Sequence, residues 1–321
     1  MTVFRRVLAA VSAVAMVVTA SALPVGAQNT NSASGLRISP TRAEVSVEKG
    51  QASEAKFNIK NVTAGTITVK TVLNDFEPQE DGSPKPLAGG ESNAASIRSF
   101  VTLPTDFNLE PEQEQDVVVP IAIPEGQAAG AYYGVVLFQS VPADQASTPG
   151  QVSLTGSVGG IVLVNVPGEI KESMQLVSIR AGRQTPGTNN EVRLSNIFAQ
   201  PFDRVQVRVK NTGNSFLKPY GRVTVSDWRG KEVAAYEMND TDPRANVLPN
   251  SQRVFTNPIE GVKMPGRYTI AAGIAYGNGG DVLTQKVNVW YLPVWVVVTT
   301  IAVIALLVFG LMKVLKRAPR R

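Results

Sequence analysis

Apolar and polar residues alternate along most of this chain. Ala55, Phe57 and Ile59 are separated by polar residues, and Val117, Val119, Ile121 and Ile123 repeat the pattern. It returns at Val205, Val207 and Val209, at Val223 and Val225, and at Tyr268, Ile270, Ala272, Ile274 and Tyr276. Successive side chains of a strand point to opposite faces, so a period of two predicts half-buried antiparallel strands. Turn formers punctuate the strands at Asp81-Gly82, at Arg229-Gly230 and at Gly277-Asn278-Gly279-Gly280. Amphipathic helical periodicity is missing between the two ends of the chain. The expected fold class is therefore all-β.

A weak internal repeat divides the strands into two sets. Phe57-Asn58-Ile59-Lys60-Asn61-Val62-Thr63-Ala64-Gly65 resembles Val207-Arg208-Val209-Lys210-Asn211-Thr212-Gly213-Asn214. Each is an alternating strand that ends in Lys-Asn and a Thr/Gly turn. Further on, Gly130-Ala131-Tyr132 resembles Gly266-Arg267-Tyr268, each opening an apolar strand. A tyrosine there, with its hydroxyl bonded back to the chain, is the tyrosine corner of immunoglobulin-like sandwiches. Tyr132 and Tyr268 are assigned that structural role, while Tyr133 points to the opposite face, where exposure is expected. The reading is two tandem immunoglobulin-like domains, 36–166 and 191–291, joined by a linker and connecting strand over 167–190. Loops 78–93 and 142–150 lengthen the first domain and are places where a β scaffold can bind a partner.

The two ends carry a different pattern. Residues 294–312 hold no charge, and Lys313, Lys316, Arg317, Arg320 and Arg321 follow. Those 19 residues make a helix of about 28 Å, close to the hydrocarbon thickness of a bilayer. A transmembrane helix is expected over 293–313, with a basic cytoplasmic tail over 314–321. Trp290, Tyr291 and Trp295 are assigned to the headgroup layer, and Lys313, Lys316 and Arg317 to the cytoplasmic side. At the other end, Arg5 and Arg6 precede an apolar run over 7–20, and Val25-Gly26-Ala27 supplies small residues. This predicts a signal peptide over 1–27, cleaved between Ala27 and Gln28. The mature chain is then a single-pass membrane protein with residues 28–291 outside the cell and no intracellular domain.

Charge and chemistry narrow the function. Of 31 basic residues, two precede the apolar run and five follow the helix, which leaves 24 against 26 acidic ones. The external part thus offers no basic surface for nucleic acid. The chain has no cysteine and no histidine, which excludes Ser-His-Asp and Cys-His nucleophile systems and His or Cys zinc sites. Ser53-Glu54-Ala55-Lys56 and Ser215-Phe216-Leu217-Lys218 match S-x-x-K, but they lie in a strand and a turn and lack the partner motifs. Asp75, Glu77, Glu80 and Asp81, with Asp240 and Asp242, sit among turn formers and read as solvated loop acids rather than as a calcium or glycosidase site. No catalytic residue, metal or cofactor is expected.

The order of parts resembles a bacterial family. Ile38-Ser39-Pro40 opens the first domain, Lys210-Asn211-Thr212-Gly213-Asn214 lies in the second, and a Trp- and Tyr-fringed helix with a basic tail closes the chain. Together they are similar to the WxL-interacting cell-surface proteins. The resemblance implies a peptidoglycan-binding first domain and a second domain that engages a host or partner surface protein. The expectation is a non-enzymatic, membrane-anchored surface protein for adhesion or scaffolding. The alternatives are a chaperone-like assembly factor that lends or accepts an edge strand, and a carboxylate-dependent cell-wall glycan hydrolase.

Overall fold

The computed structural model describes residues 35–87, 91–142, 156–187, 191–277 and 281–317. The expected signal peptide with Ala27 and Gln28, nearly all of loop 142–150, and Arg320 and Arg321 lie outside these residues.

The first domain contains β1 (Leu36–Ser39), β2 (Arg42–Ser46), β3 (Ala52–Asn61), β4 (Ile67–Asn74), β5 (Phe76–Pro78), β6 (Pro84–Pro86), β7 (Phe107–Leu109), β8 (Glu114–Ala122), β9 (Gly130–Pro142) and β10 (Gly156–Val166). One sheet runs β1-β3-β8 and the facing sheet β2-β10-β9-β4-β7, while β5 and β6 form a separate hairpin. The alternating residues fill the space between the sheets. Phe57, Ile59, Val117, Val119 and Ile121 are buried there with Phe138, Val162 and Val164. Fully burying one such side chain is worth about 1.5–3 kcal/mol, so this stripe dominates the domain's stability.

The second domain contains β11 (Met174–Gln184), β12 (Val192–Ser195), β13 (Ile197–Phe198), β14 (Arg204–Asn211), β15 (Tyr220–Ser226), β16 (Glu232–Met238), β17 (Gln252–Pro258), β18 (Gly266–Ala275) and β19 (Val282–Tyr291). Its sheets run β12-β11-β14-β17 and β13-β19-β18-β15-β16. β11 pairs with β14 along most of its length, so it is a strand of the second sandwich rather than a connecting strand. A register shift between Leu176 and Ser178 breaks its alternation. Both domains split an early strand between the two sheets: β1 and β2 in the first, β12 and β13 in the second, with β2 parallel to β10 and β13 parallel to β19. The chain is an all-β pair of immunoglobulin-like sandwiches.

The sequence repeat has a physical cause. Asn61 is fully buried and donates to the carbonyls of Gly65, Leu109 and Glu110 at 2.9, 3.1 and 3.1 Å, while its oxygen accepts from the Thr63 backbone at 2.8 Å. Asn211, equally buried, donates to Ser215 and Val247 at 2.7 and 2.9 Å and accepts from Gly213 at 2.9 Å. Each amide ties a turn to a distant segment by donating to carbonyls of both. The tyrosines act alike: the Tyr132 hydroxyl donates to Ala128 at 3.0 Å, and that of Tyr268 to Met264 at 2.6 Å.

A helix, α1 (Val294–Arg317), follows β19 after Leu292 and Pro293. It is long and apolar enough to cross a membrane over Val294–Lys313, and its apolar side chains face outward all round. Trp295 stands on it in the open, and the Lys313 ammonium lies over the Phe309 ring at 5.9 Å. Lys316 and Arg317 belong to its last turn. Tyr291 departs from its expected place in the headgroup layer. It is buried in the second core, paired with Gly266 on one side and Phe198 on the other, because β19 continues inside the sheet to that residue.

Candidate binding cleft between the domains

β9 and β10 carry continuous apolar runs over 130–138 and 158–164, and both of their faces are covered. Tyr132, Val136, Phe138, Val162 and Val164 point into the first core. Tyr133, Val135 and Leu163 point the other way and pack with Phe76 and with Leu248 of the second domain. Tyr133 does lie on the opposite face, but it is buried there, its ring 5.0 Å from that of Phe76. The second domain covers a sheet face that a lone sandwich would leave to water.

The junction is held at several points. The turn at Asn214 clamps the linker: its backbone N–H donates to Lys171 at 3.1 Å, its carbonyl accepts from Ala131 at 2.8 Å, and its side-chain oxygen accepts from Lys171 at 2.7 Å. A β-carbon at Gly213 would collide with the Lys171 carbonyl, which explains glycine in that turn. The β5–β6 hairpin, expected as part of a loop, reaches across. The Glu80 carbonyl accepts from Val254 at 2.7 Å, and its carboxylate pairs with Arg208. Glu44 on β2 takes Lys218 at 2.6 Å, Asn246 at 2.8 Å and Arg42 at 3.0 Å.

Between these contacts lies a cavity of about 640 Å³. Its floor is the outer face of β9 and β10: Val135, Leu137, Gly159, Ile161 and Leu163. The walls are prolines of the β5–β6 hairpin on one side and Leu248, Ser251 and Gln252 on the other. Polar groups gather at one end. Arg253 donates to the Asn246 carbonyl at 2.7 Å, and burial first, then the Arg42 charge, lower its pKa. Asn246 is only 5% exposed, and its side-chain oxygen has no hydrogen-bond partner. An apolar trough with a cationic, partly unpaired end suits an extended peptide better than a rigid sugar.

Among the described residues, one edge of the trough is unpaired backbone. β2 covers β10 only from Ile161 to Asn165. Among the described residues no strand pairs with 156–160 on that side, whereas β9 pairs along the whole opposite side. Ile161 donates to the Thr41 carbonyl and the Asn165 carbonyl accepts from Val47, so odd-numbered residues aim their backbone groups at this edge. Ser157 and Gly159 continue that parity onto the open stretch. Open edges recruit extended chains.

The sequence-predicted acids are dispersed rather than convergent. Asp75 is not solvated: it is fully buried and accepts from Ser96 at 2.9 Å and Asn93 at 3.3 Å, with Arg98 at 3.4 Å. Asp81 caps its own turn, and the Ser83 hydroxyl holds its carboxyl below the usual range. Among the described residues no cluster of acids has the make-up of a metal site. The sequence reading missed Arg42, Asn246, Arg253 and Gly159. Only the Gly159-Gly160 pair within an apolar strand signalled a close approach.

No protein-family profile and no curated protein matches the sequence. Solved structures do resemble the fold. The YadV chaperone is 11% identical with a TM-score of 0.37, over 79% of this chain and 100% of that one. A chain of the Salmonella enterica SafA pilin–SafB chaperone complex is 13% identical with a TM-score of 0.35, over 79% and 95%. The Pseudomonas aeruginosa CupB2 chaperone is 13% identical with a TM-score of 0.30, over 78% and 97%. At these scores the likeness is one of β-sandwich architecture.

Proposed function

We propose that this protein is a membrane-anchored, non-enzymatic assembly factor that holds an extended segment of another exported protein. The segment adds as a strand along residues 156–160 of β10 and lays its inward side chains on the apolar cleft floor. The observation that carries this reading is that the open edge and the cleft share Gly159. In such strand addition, main-chain hydrogen bonds give affinity and pockets for alternate side chains give specificity. Five residues of edge guide about 16 Å of partner chain. Arg253 and the free oxygen of Asn246 then read an acidic or amide group at the cleft's polar end. α1 anchors the protein, and the positive residues Lys313, Lys316 and Arg317 place its C-terminal end in the cytoplasm. Peptidoglycan, which the WxL-interacting resemblance implies, is the competing ligand.

A photo-activatable residue in place of Ser157, in the full chain in its own membrane, tests this. The expected product is one dominant adduct with an exported protein. Adducts with none, together with capture of the full-length protein on isolated cell walls, would favour wall adhesion instead.

A further inference from the structure

The end of the second domain that leads into α1 has an unusual surface. Ile197, Met264, Trp228 and Trp290 are 62, 60, 55 and 43% exposed, among the most exposed large apolar side chains of the two sandwiches. Strand register gathers them at one end. Ile197 lies beside Trp290, which lies beside Arg267 on β18. Gly266, the first residue of β18, is opposite Tyr291, and the Trp228 ring packs against that glycine. The guanidinium of Arg229 sits 4.6 Å from the Trp228 ring. The helix begins three residues after Tyr291. The opposite end of the same sheet faces the first domain, where Tyr220 lies under Arg244, whose carbonyl accepts from Arg42.

Tryptophan and arginine side by side on a surface continuous with an apolar helix match the chemistry of a lipid headgroup layer. Indole rings favour that layer, and guanidinium groups pair with phosphate there. Water would be a poor solvent for the same four side chains. We propose that this end of the second domain docks on the bilayer surface, with Trp228 and Met264 dipping into the headgroup layer and Arg229 and Arg267 against lipid phosphates. The proposal rests on reading α1 as a membrane span and adds a second, peripheral contact beside it. The ectodomain is then held against swivelling about its anchor.

The full-length protein in vesicles of phosphatidylcholine and phosphatidylglycerol, with bromine on the lipid chains, provides the test. The variant Trp290→Phe/Trp295→Phe leaves Trp228 as sole reporter, and Trp228→Phe/Trp290→Phe leaves Trp295. Docking predicts loss of Trp228 emission to brominated lipid, larger with bromine near the headgroup than deep in the chain. Trp295 quenched while Trp228 is untouched overturns the docking and leaves the span standing. Neither residue quenched overturns both. Trp228 shielded from aqueous quencher yet indifferent to bromine assigns the patch to a second protein copy, which also overturns the proposal. Because the chain has no cysteine, Met264→Cys takes a single spin label. Relaxation favouring lipid-soluble oxygen over a water-soluble nickel complex is expected, and the reverse counts against docking.

Discussion

Asn246 of the second domain gives its amide to Glu44 of the first at 2.8 Å, and its own oxygen stays buried without a partner. Glu44 is thus the shared acceptor of Asn246, Lys218 and Arg42. Its carboxylate is about one-third exposed, so solvent screens part of each interaction. Replacing Glu44 with Ala strands three donors at the junction. The expected loss is about 1–3 kcal/mol, read as a lower melting temperature of the full chain. An unchanged melt would mean that the junction is held elsewhere.

Asn61 and Asn211 serve their domains alike, and each leaves a carbonyl short of its donor when truncated. Asn61→Ala removes the side-chain donor of the buried Leu109 carbonyl, whereas the Glu110 carbonyl keeps the Gln113 backbone N–H and that of Gly65 keeps the Thr63 hydroxyl. A buried orphan costs about 1–3 kcal/mol, so a destabilisation of about that size is expected in either variant, measured by denaturant unfolding. Substitution of half-buried Asn58, whose side chain bonds Asp116 across the strand pair at a solvent-exposed contact, is the control and is expected to cost little.

Opening the edge to a partner predicts a separation of binding from folding. Ser157 is exposed, and its backbone groups face the unpaired side of β10. Proline is tolerated at an edge whose N–H meets solvent. Ser157→Pro is therefore expected to fold within about 1 kcal/mol of the native chain while losing partner capture at least about tenfold, since 1.4 kcal/mol is a factor of ten. Loss of stability and binding together would place a covering strand on that edge.

Alkaline pH probes the buried hydroxyls. Burial raises the pKa of Tyr133, with Asp75 and Glu77 adding to it; burial alone raises Tyr236; and burial leads the rise at Tyr268. A raised folded value means that the unfolded chain loses these protons first. The stability they contribute is full below the ordinary tyrosine pKa of about 10 and is lost as pH rises past it. Absorbance titration should show these rings ionising only as the fold opens. The Tyr236 hydroxyl has no partner, so Tyr236→Phe is expected to be neutral or stabilising.

The core of each sandwich was legible because it obeys a local rule. Phe57, Ile59, Val207 and Val209 alternate, and they are buried. What the sequence obscured depends on segments far apart in the chain. Tyr133 and Asp75 look like surface residues until Leu248 and the 93–98 segment close over them. β11 was hidden by its bulge, which turns Val177 outward and breaks the period that marks a strand. Tyr291 was drawn toward the membrane by its neighbours Trp290 and Trp295, although the sheet ends one residue later than that grouping suggests. Beyond the Gly159-Gly160 pair the cleft had no sequence signature, because Gly159, Asn246 and Arg253 meet only when two domains are set side by side.

Only Leu292 and Pro293 separate the end of β19 from the first turn of the helix. So short a hinge leaves no slack. The second sandwich becomes a post about one strand long, roughly 33 Å for ten residues, and it carries the first domain with its open β10 edge. On the function proposed above, a client would bring its free segment to the first domain at a fixed distance from the lipid, and any tilt of the anchor would swing the receiving edge with it.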